Sequence, residues 1–201
     1  MILVPHLHPA ALLRGQTDDS SNLAKFEDAT IADLQKALRL TKSRPVWDER
    51  AIWERDSVGR LRNLFPTAEE VIEFCRSARG QLLAVDVETS GETPLMTRLI
   101  CVGLASANGR VLCVPFLRQG GSPYWDAHDR ARVVAALREL LADPTTQKVA
   151  HNYIFDSIVL WTHGMPIGGE VMDTMQMLHC IDSELPMGLG YAGTRYLDVR
   201  Y

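Results

Sequence analysis

An α/β fold, a mixed sheet with flanking helices, is predicted by three observations. Three strand-like runs follow one another closely: LLAVDVE, RLICVGLAS and RVLCVPF. Asn108-Gly109, between the second and third, is a hairpin signal, because both residues tolerate the left-handed backbone of a tight turn. After the third run, helical and strand-like segments alternate, the pattern of a sheet that acquires parallel strands.

The elements follow in order. Thr67 and Glu70 have capping-box spacing, so a helix opens at Pro66-Thr67 and runs to about Arg79, where Gly80 ends it. The three-strand meander comes next. A helix is predicted from about Ala127 to Leu141, stopped by Asp143-Pro144. KVAHN reads as a short strand and IFDSIVLWTHG as a helix closed by Gly164. VMDTMQMLHCIDSE reads as a further helix, and LGYAGTRYLD as the beginning of one more. Upstream, RGQTDDSSN is polar and breaker-rich, IADLQKALRL has the spacing of a short amphipathic helix, and WDERAIWERDSVGRLRN is charged with two tryptophans. Residues 1–64 are therefore expected to be an extension or linker, with Trp47 and Trp53 packing it on a domain spanning 65–201.

Bulk properties limit the function classes. At 201 residues the chain can bury a real core. Its 46% hydrophobic and 23% charged residues are ordinary for a soluble protein, and its net charge of −4 argues against a non-specific nucleic-acid coat. No run approaches the roughly 18 apolar residues of a membrane helix. The N-terminus MILVPHLHPAALLRG lacks the basic start of a secretory signal, so a cytoplasmic location is expected. Cys75, Cys101, Cys113 and Cys180 form no CxxC pair and are expected to be reduced, mostly buried thiols.

The chemistry concentrates in two places. In a strand, residues i and i+2 face one side, so Asp86 and Glu88 project together at the end of the first run. Two close carboxylates repel and raise one another's pKa, and a bound Mg²⁺ or Mn²⁺ relieves the repulsion. Taken alone, the pair equally describes two solvated charges where a strand enters a loop. The second place is VAHNYIFDSIVL. Asn152 and Asp156 are four apart and share a helical face, on a helix apolar enough that the carboxylate needs a partner. A metal shared with Asp86 and Glu88 would supply one.

VDVETSG, followed about 70 residues on by HNYIFD, resembles the first two motifs of the DEDD 3′–5′ exonucleases. MDTMQMLHCIDSELPMGLGYAGTRYLD resembles the segment after the second motif in the proofreading domain of family A DNA polymerases. The resemblance covers about Phe65 to Tyr201 and implies a ribonuclease H-like fold. It implies that Asp86, Glu88 and Asp156 hold two divalent metal ions, Asp86 bridging both, for two-metal hydrolysis of the last phosphodiester of a single-stranded DNA 3′ end. It places Thr89 on the 3′-terminal nucleotide through backbone and hydroxyl, and Asn152 and Phe155 close to the terminal nucleotides. Asp173 is expected to be a helix-cap or packing residue rather than a ligand. A polymerase domain is expected C-terminal to this segment in the parent protein.

One departure counts against full activity. The family pattern carries a fourth carboxylate in a Tyr-x3-Asp or His-x3-Asp motif, and no such spacing follows Asp156: Arg195 lies four after Tyr191. The fold is thus expected to be C-terminally incomplete and the chain by itself a poor nuclease. LHPAALLRG, residues 7–15, resembles the His-Pro…Leu-Arg motif of family 4 uracil-DNA glycosylases, with His8 in the place of the uracil-contacting His; a proline-containing extension is the other reading. Two rival functions stand beside the exonuclease: a binding module that has lost catalysis, and an RNA-processing relative of the same superfamily. Met165, Met172, Met175 and Met177 are expected as core filling, His163 and His179 as helix-end or surface residues, and Arg130, Arg132 and Arg138 as a solvated helix face.

Overall fold

In the computed structural model of the chain, residues 65–196 are described; the expectations for residues 1–64 and 197–201 lie outside them. The chain divides into two compact units, one formed by 48–177 and one by 1–47 with 178–201. The first carries the sheet. Its elements are α1 (Ala68–Ala78), β1 (Leu83–Thr89), β2 (Leu99–Ser106), β3 (Val111–Pro115), α2 (Ala127–Ala142), β4 (Lys148–Ala150), α3 (Tyr153–Thr162), β5 (Val171–Asp173) and the start of α4 (Thr174–Ile181). In the second unit, α4 ends and α5 (Leu189–Tyr196) follows.

The five strands form one mixed sheet in the order β3-β2-β1-β4-β5. β1, β2 and β3 make the antiparallel meander, and β4 and β5 add in parallel beyond β1. The hairpin forms at Asn108-Gly109 as expected, but only Gly109 takes the left-handed backbone (φ +83°); Asn108 Oδ1 instead accepts from Arg110 N at 3.0 Å, and Ser106 N donates to Arg110 O at 2.9 Å. The Thr67 and Glu70 capping box is complete at the start of α1, and Gly80 (φ +71°) follows its end.

β1 alternates in burial, with Leu83, Val85 and Val87 inward and Asp86 and Glu88 outward. The inward residues join Val102, Leu104, Leu112 and Val114 in one core with Val71, Phe74, Leu137, Leu140 and Leu141 of α1 and α2. Burying each such side chain is worth about 1.5–3 kcal/mol, so this face holds the sheet to its helices. On the opposite face, cross-strand partners place Gly103 beside Asp86 and Cys101 beside Glu88. Lys148 is fully buried, and its ammonium donates to the carbonyls of Asp143 and Gly168, tying the loops on either side of α3 together.

Three expectations are corrected. Val171–Asp173 is a strand, not the first turn of a helix; it pairs in register with Lys148, Val149 and Ala150, whose open edge offers ladder partners no local pattern reveals. Of the cysteines only Cys75 is buried; Cys101 and Cys113 are half-buried on the carboxylate-bearing face, and Cys180 is exposed. Met165 alone of the four named methionines is fully buried, while Met177 is 51% exposed. The arginines of α2 behave as expected of a solvated face: Arg132 pairs with Glu69 and Asp129. Among the described residues no helix is long and apolar enough to cross a membrane.

Candidate active site at the end of strand β1

Asp86 and Glu88 leave β1 on one side because strand geometry allows nothing else. A register shift follows directly, between Glu88 and Thr89, and turns the strand end into a loop. Thr89 Oγ1 donates to Gly91 O at 2.7 Å, and Ser90 N donates to Arg98 O at 3.0 Å, so that loop is held at both ends. Residues 87–92, with Asn152 and Phe155, line an open cleft of about 560 Å³.

Asp156 reaches this strand from α3. It is only 4% exposed, and its Oδ1 accepts a hydrogen bond from Val87 N at 3.2 Å. Burial, and then the charge of Asp86, push its pKa up to about 7; the Val87 hydrogen bond acts the other way. Asp86 is raised too, by burial first and by Glu88 second, with His151 opposing. Three carboxylates linked in this way, Glu88 raising Asp86 and Asp86 raising Asp156, form an anionic group in want of a cation. Among the described residues no three His, Cys, Asp or Glu side chains already converge as a metal cage. The donor set nonetheless fits a hard divalent ion: all are carboxylate oxygens, and burial has stripped one of them of water.

Asn152 occupies the N-cap position of α3 but does not cap the helix with its side chain. It sits before α3 at φ +66° and ψ +49°, with no side-chain cap bond. Asn tolerates that left-handed backbone better than most residues. The capping is done from β5. Asp173 accepts from Asn152 N at 3.0 Å and Tyr153 N at 2.9 Å, and from Met175 N at 2.9 Å. Its role as a cap therefore agrees with the sequence reading, although it caps a helix distant in the chain. Freed from capping, the Asn152 side chain borders the cleft with Phe155, which packs its other side against the core.

His151 was not selected from sequence. Thr174 Oγ1 donates to Ala150 O at 3.0 Å, which leaves its oxygen to accept from His151 Nδ1 at 2.9 Å. That fixes a proton on Nδ1 and leaves Nε2 buried without a partner among the described residues. Its proximity to Asp86 came from the fold; the HN at the start of HNYIFD was the available signal.

Asp173→Ala is expected to cost about 2–4 kcal/mol, since three backbone N–H groups lose a charged acceptor. Urea unfolding measures this, and a midpoint indistinguishable from wild type would remove Asp173 from the account of how α3 is aimed.

The family profile described as 3′–5′ exonuclease, of the DNA polymerase A type, matches residues 64–199. The chain belongs to that exonuclease family. This family member is 27% identical over 194 residues, 88% of its length, to DNA polymerase I A, chloroplastic/mitochondrial, of Arabidopsis thaliana. It spans 17% of that relative. Its fold is similar to that of Escherichia coli RNase D, an exoribonuclease involved in structured RNA processing, at TM-score 0.51 and 17% identity over 67% of this chain and 33% of the other. It is similar also to the POL domain of Pol1 from M. smegmatis, in complex with DNA primer-template and dNTP, at TM-score 0.53 and 18% identity over 65% and 22%. These likenesses establish the ribonuclease H-like mixed sheet of the exonuclease family.

Proposed function

We propose that this chain is the 3′–5′ exonuclease part of a DNA polymerase, hydrolysing the 3′-terminal phosphodiester of single-stranded DNA with two divalent ions, Mg²⁺ or Mn²⁺. One observation carries the reading: a nearly buried carboxylate, Asp156, is delivered from α3 to the end of β1, where burial and then the charge of Asp86 raise its pKa, while burial and Glu88 raise that of Asp86. Such an arrangement is costly without a cation and useful with one. When bound, the ions would supply an activated water and neutralise the leaving 3′-oxygen.

The chain's own residues have these proposed parts. Asp86 would be shared between the two ions, with Glu88 helping to hold one and Asp156 the other. Thr89 meets the terminal nucleotide with its backbone and its hydroxyl oxygen. Phe155 presents an aromatic ring to the terminal bases, and Asn152 offers its amide beside it. A cleft of about 560 Å³ is within the range that holds a mononucleotide-sized ligand. The proofreading role and the polymerase domain C-terminal to this segment are parts of the same proposal, supported by the relationship to a plant DNA polymerase. The 1–64 extension and 65–201 exonuclease boundaries remain the proposed division, with residues 1–15 as a glycosylase remnant.

The test is single-turnover cleavage of a 5′-labelled single strand with the chain in excess and Mn²⁺ present. Because the sequence holds three of the family's four carboxylates, slow release of single nucleotides from the 3′ end is expected, with Asp86→Ala lowering the rate at least about a hundredfold. Cleavage that persists in EDTA, or that survives Asp86→Ala, would sink the reading. Faster cleavage of a matched RNA would transfer it to RNA processing, since the 2′-OH is the group that differs.

A further inference from the structure

β2 is antiparallel to both of its neighbours, so β1 and β3 run the same way. The segment after β3 therefore leaves the sheet at the edge where β1 ends in Glu88 and Thr89. Two strand spacings of about 4.8 Å separate the two exits. Residues 116–125 form a closed loop. Leu117 pairs with Pro123, Gly121 N donates to Arg118 O and Arg118 N to Ser122 O, each at 2.8 Å, and Tyr124 N donates to Phe116 O at 2.9 Å.

Two guanidinium groups sit on this loop. Arg118 lies 4.8 Å from the Tyr124 ring centroid and donates to Tyr124 O at 2.9 Å. Arg98 donates to Gly121 O at 2.6 Å, while its own backbone N–H bonds to Ser90 Oγ, on a residue that lines the cleft. Each donates a side-chain hydrogen bond to a backbone carbonyl, and neither pairs with a carboxylate among the described residues. Arg79 and Arg132, by contrast, are neutralised by Glu139 and by Glu69 with Asp129. Beside the loop Phe65 stacks on Tyr124, 6.4 Å between centroids and 23° between planes, and stays 75% exposed. Uncompensated guanidinium groups next to an exposed ring form the combination on which a single strand rests, phosphate on cation and base on ring.

We propose that this loop is an accessory site for single-stranded DNA upstream of the nucleotides in the cleft, with Arg98 and Arg118 taking a phosphate and Phe65 a base. The inference rests on the reading that a DNA 3′ end enters the cleft, and charge complementarity selects the occupant: a polyanion approaching an acidic site needs cations beside it.

Fluorescence anisotropy of a labelled oligothymidylate 12-mer, with the full chain in EDTA so that nothing is cleaved, tests it. Arg98→Gln/Arg118→Gln is expected to weaken binding about tenfold and to lower the salt slope by roughly 1.4. Phe65→Ala, which touches none of the loop's hydrogen bonds, is expected to weaken it roughly fivefold to tenfold with no change in slope. Arg130→Gln/Arg138→Gln removes the same charge from α2 and serves as the control. Equal losses from the two arginine pairs, or no loss from the loop pair and from Phe65→Ala, overturn the accessory site while leaving the nuclease reading standing. A wild-type chain that binds no single strand at all overturns both.

Discussion

Asp156→Asn raises the melting temperature of the metal-free chain at pH 8, on the order of 5 °C, and changes it little near pH 4. The reason is the burial of this carboxyl beside Asp86, which pushes its pKa up to about 7 from an ordinary 3.8. A native state that holds its proton more tightly than the unfolded chain gains stability from the neutral form. That gain is fully present below the unfolded value near 4 and is lost as pH rises through about 7. At pH 8 the wild-type chain therefore carries a buried charge, at a cost on the order of 1–3 kcal/mol. Asn removes the charge, and its amide oxygen still accepts from Val87 N. Thermal melts in EDTA at intervals from pH 4 to pH 8 measure the difference between the two chains, which cancels every other titrating group. Parallel curves across that range would show that Asp156 is ionised without penalty, and the electrostatic account of the site would fail with it.

Mn²⁺ titrated into the chain at pH 8 produces saturable heat, and Asp86→Asn/Asp156→Asn abolishes it. The carboxylates face one another without a preformed cage among the described residues, so the ion must draw them together and the affinity is modest. At a hundred times the dissociation constant, binding adds about 2.7 kcal/mol of stability, which a thermal shift detects independently of heat. The pH dependence carries the sign. Because Asp156 must lose its proton to take the ion, affinity falls as pH drops through about 7, and each ion bound releases protons to the buffer. Calorimetry in two buffers of different ionisation enthalpy counts them. Binding that is equally strong in the double variant would move the metal elsewhere and leave the carboxylate pair without a purpose.

Much of this molecule was legible in its sequence wherever a signal was local. Asp86 and Glu88 share a face because a strand alternates. Asn108-Gly109 turns the hairpin because Gly109 takes the left-handed backbone and the Asn108 side chain accepts from Arg110 N. Thr67 and Glu70 cap α1 because the spacing closes two bonds at once. What escaped was whatever depends on a partner far along the chain. Three residues at Val171–Asp173 carry no readable period, and only the open edge of β4 makes them a strand. Asp173 then caps a helix that begins 20 residues earlier, a relation no spacing rule contains. Arg98 meets Gly121 in the loop after β3, and nothing in either neighbourhood announces the other.

The sequence by itself determined the elements, their order and the residue types gathered at the end of β1, because backbone propensity and side-chain alternation act over a few residues. Only the tertiary structure decided that Asp156 is buried against Val87, that Asp173 rather than Asn152 caps α3, and that Arg98 and Arg118 meet on the loop after β3. Those outcomes depend on desolvation and on long-range hydrogen bonds, which exist only once distant segments have excluded water between them.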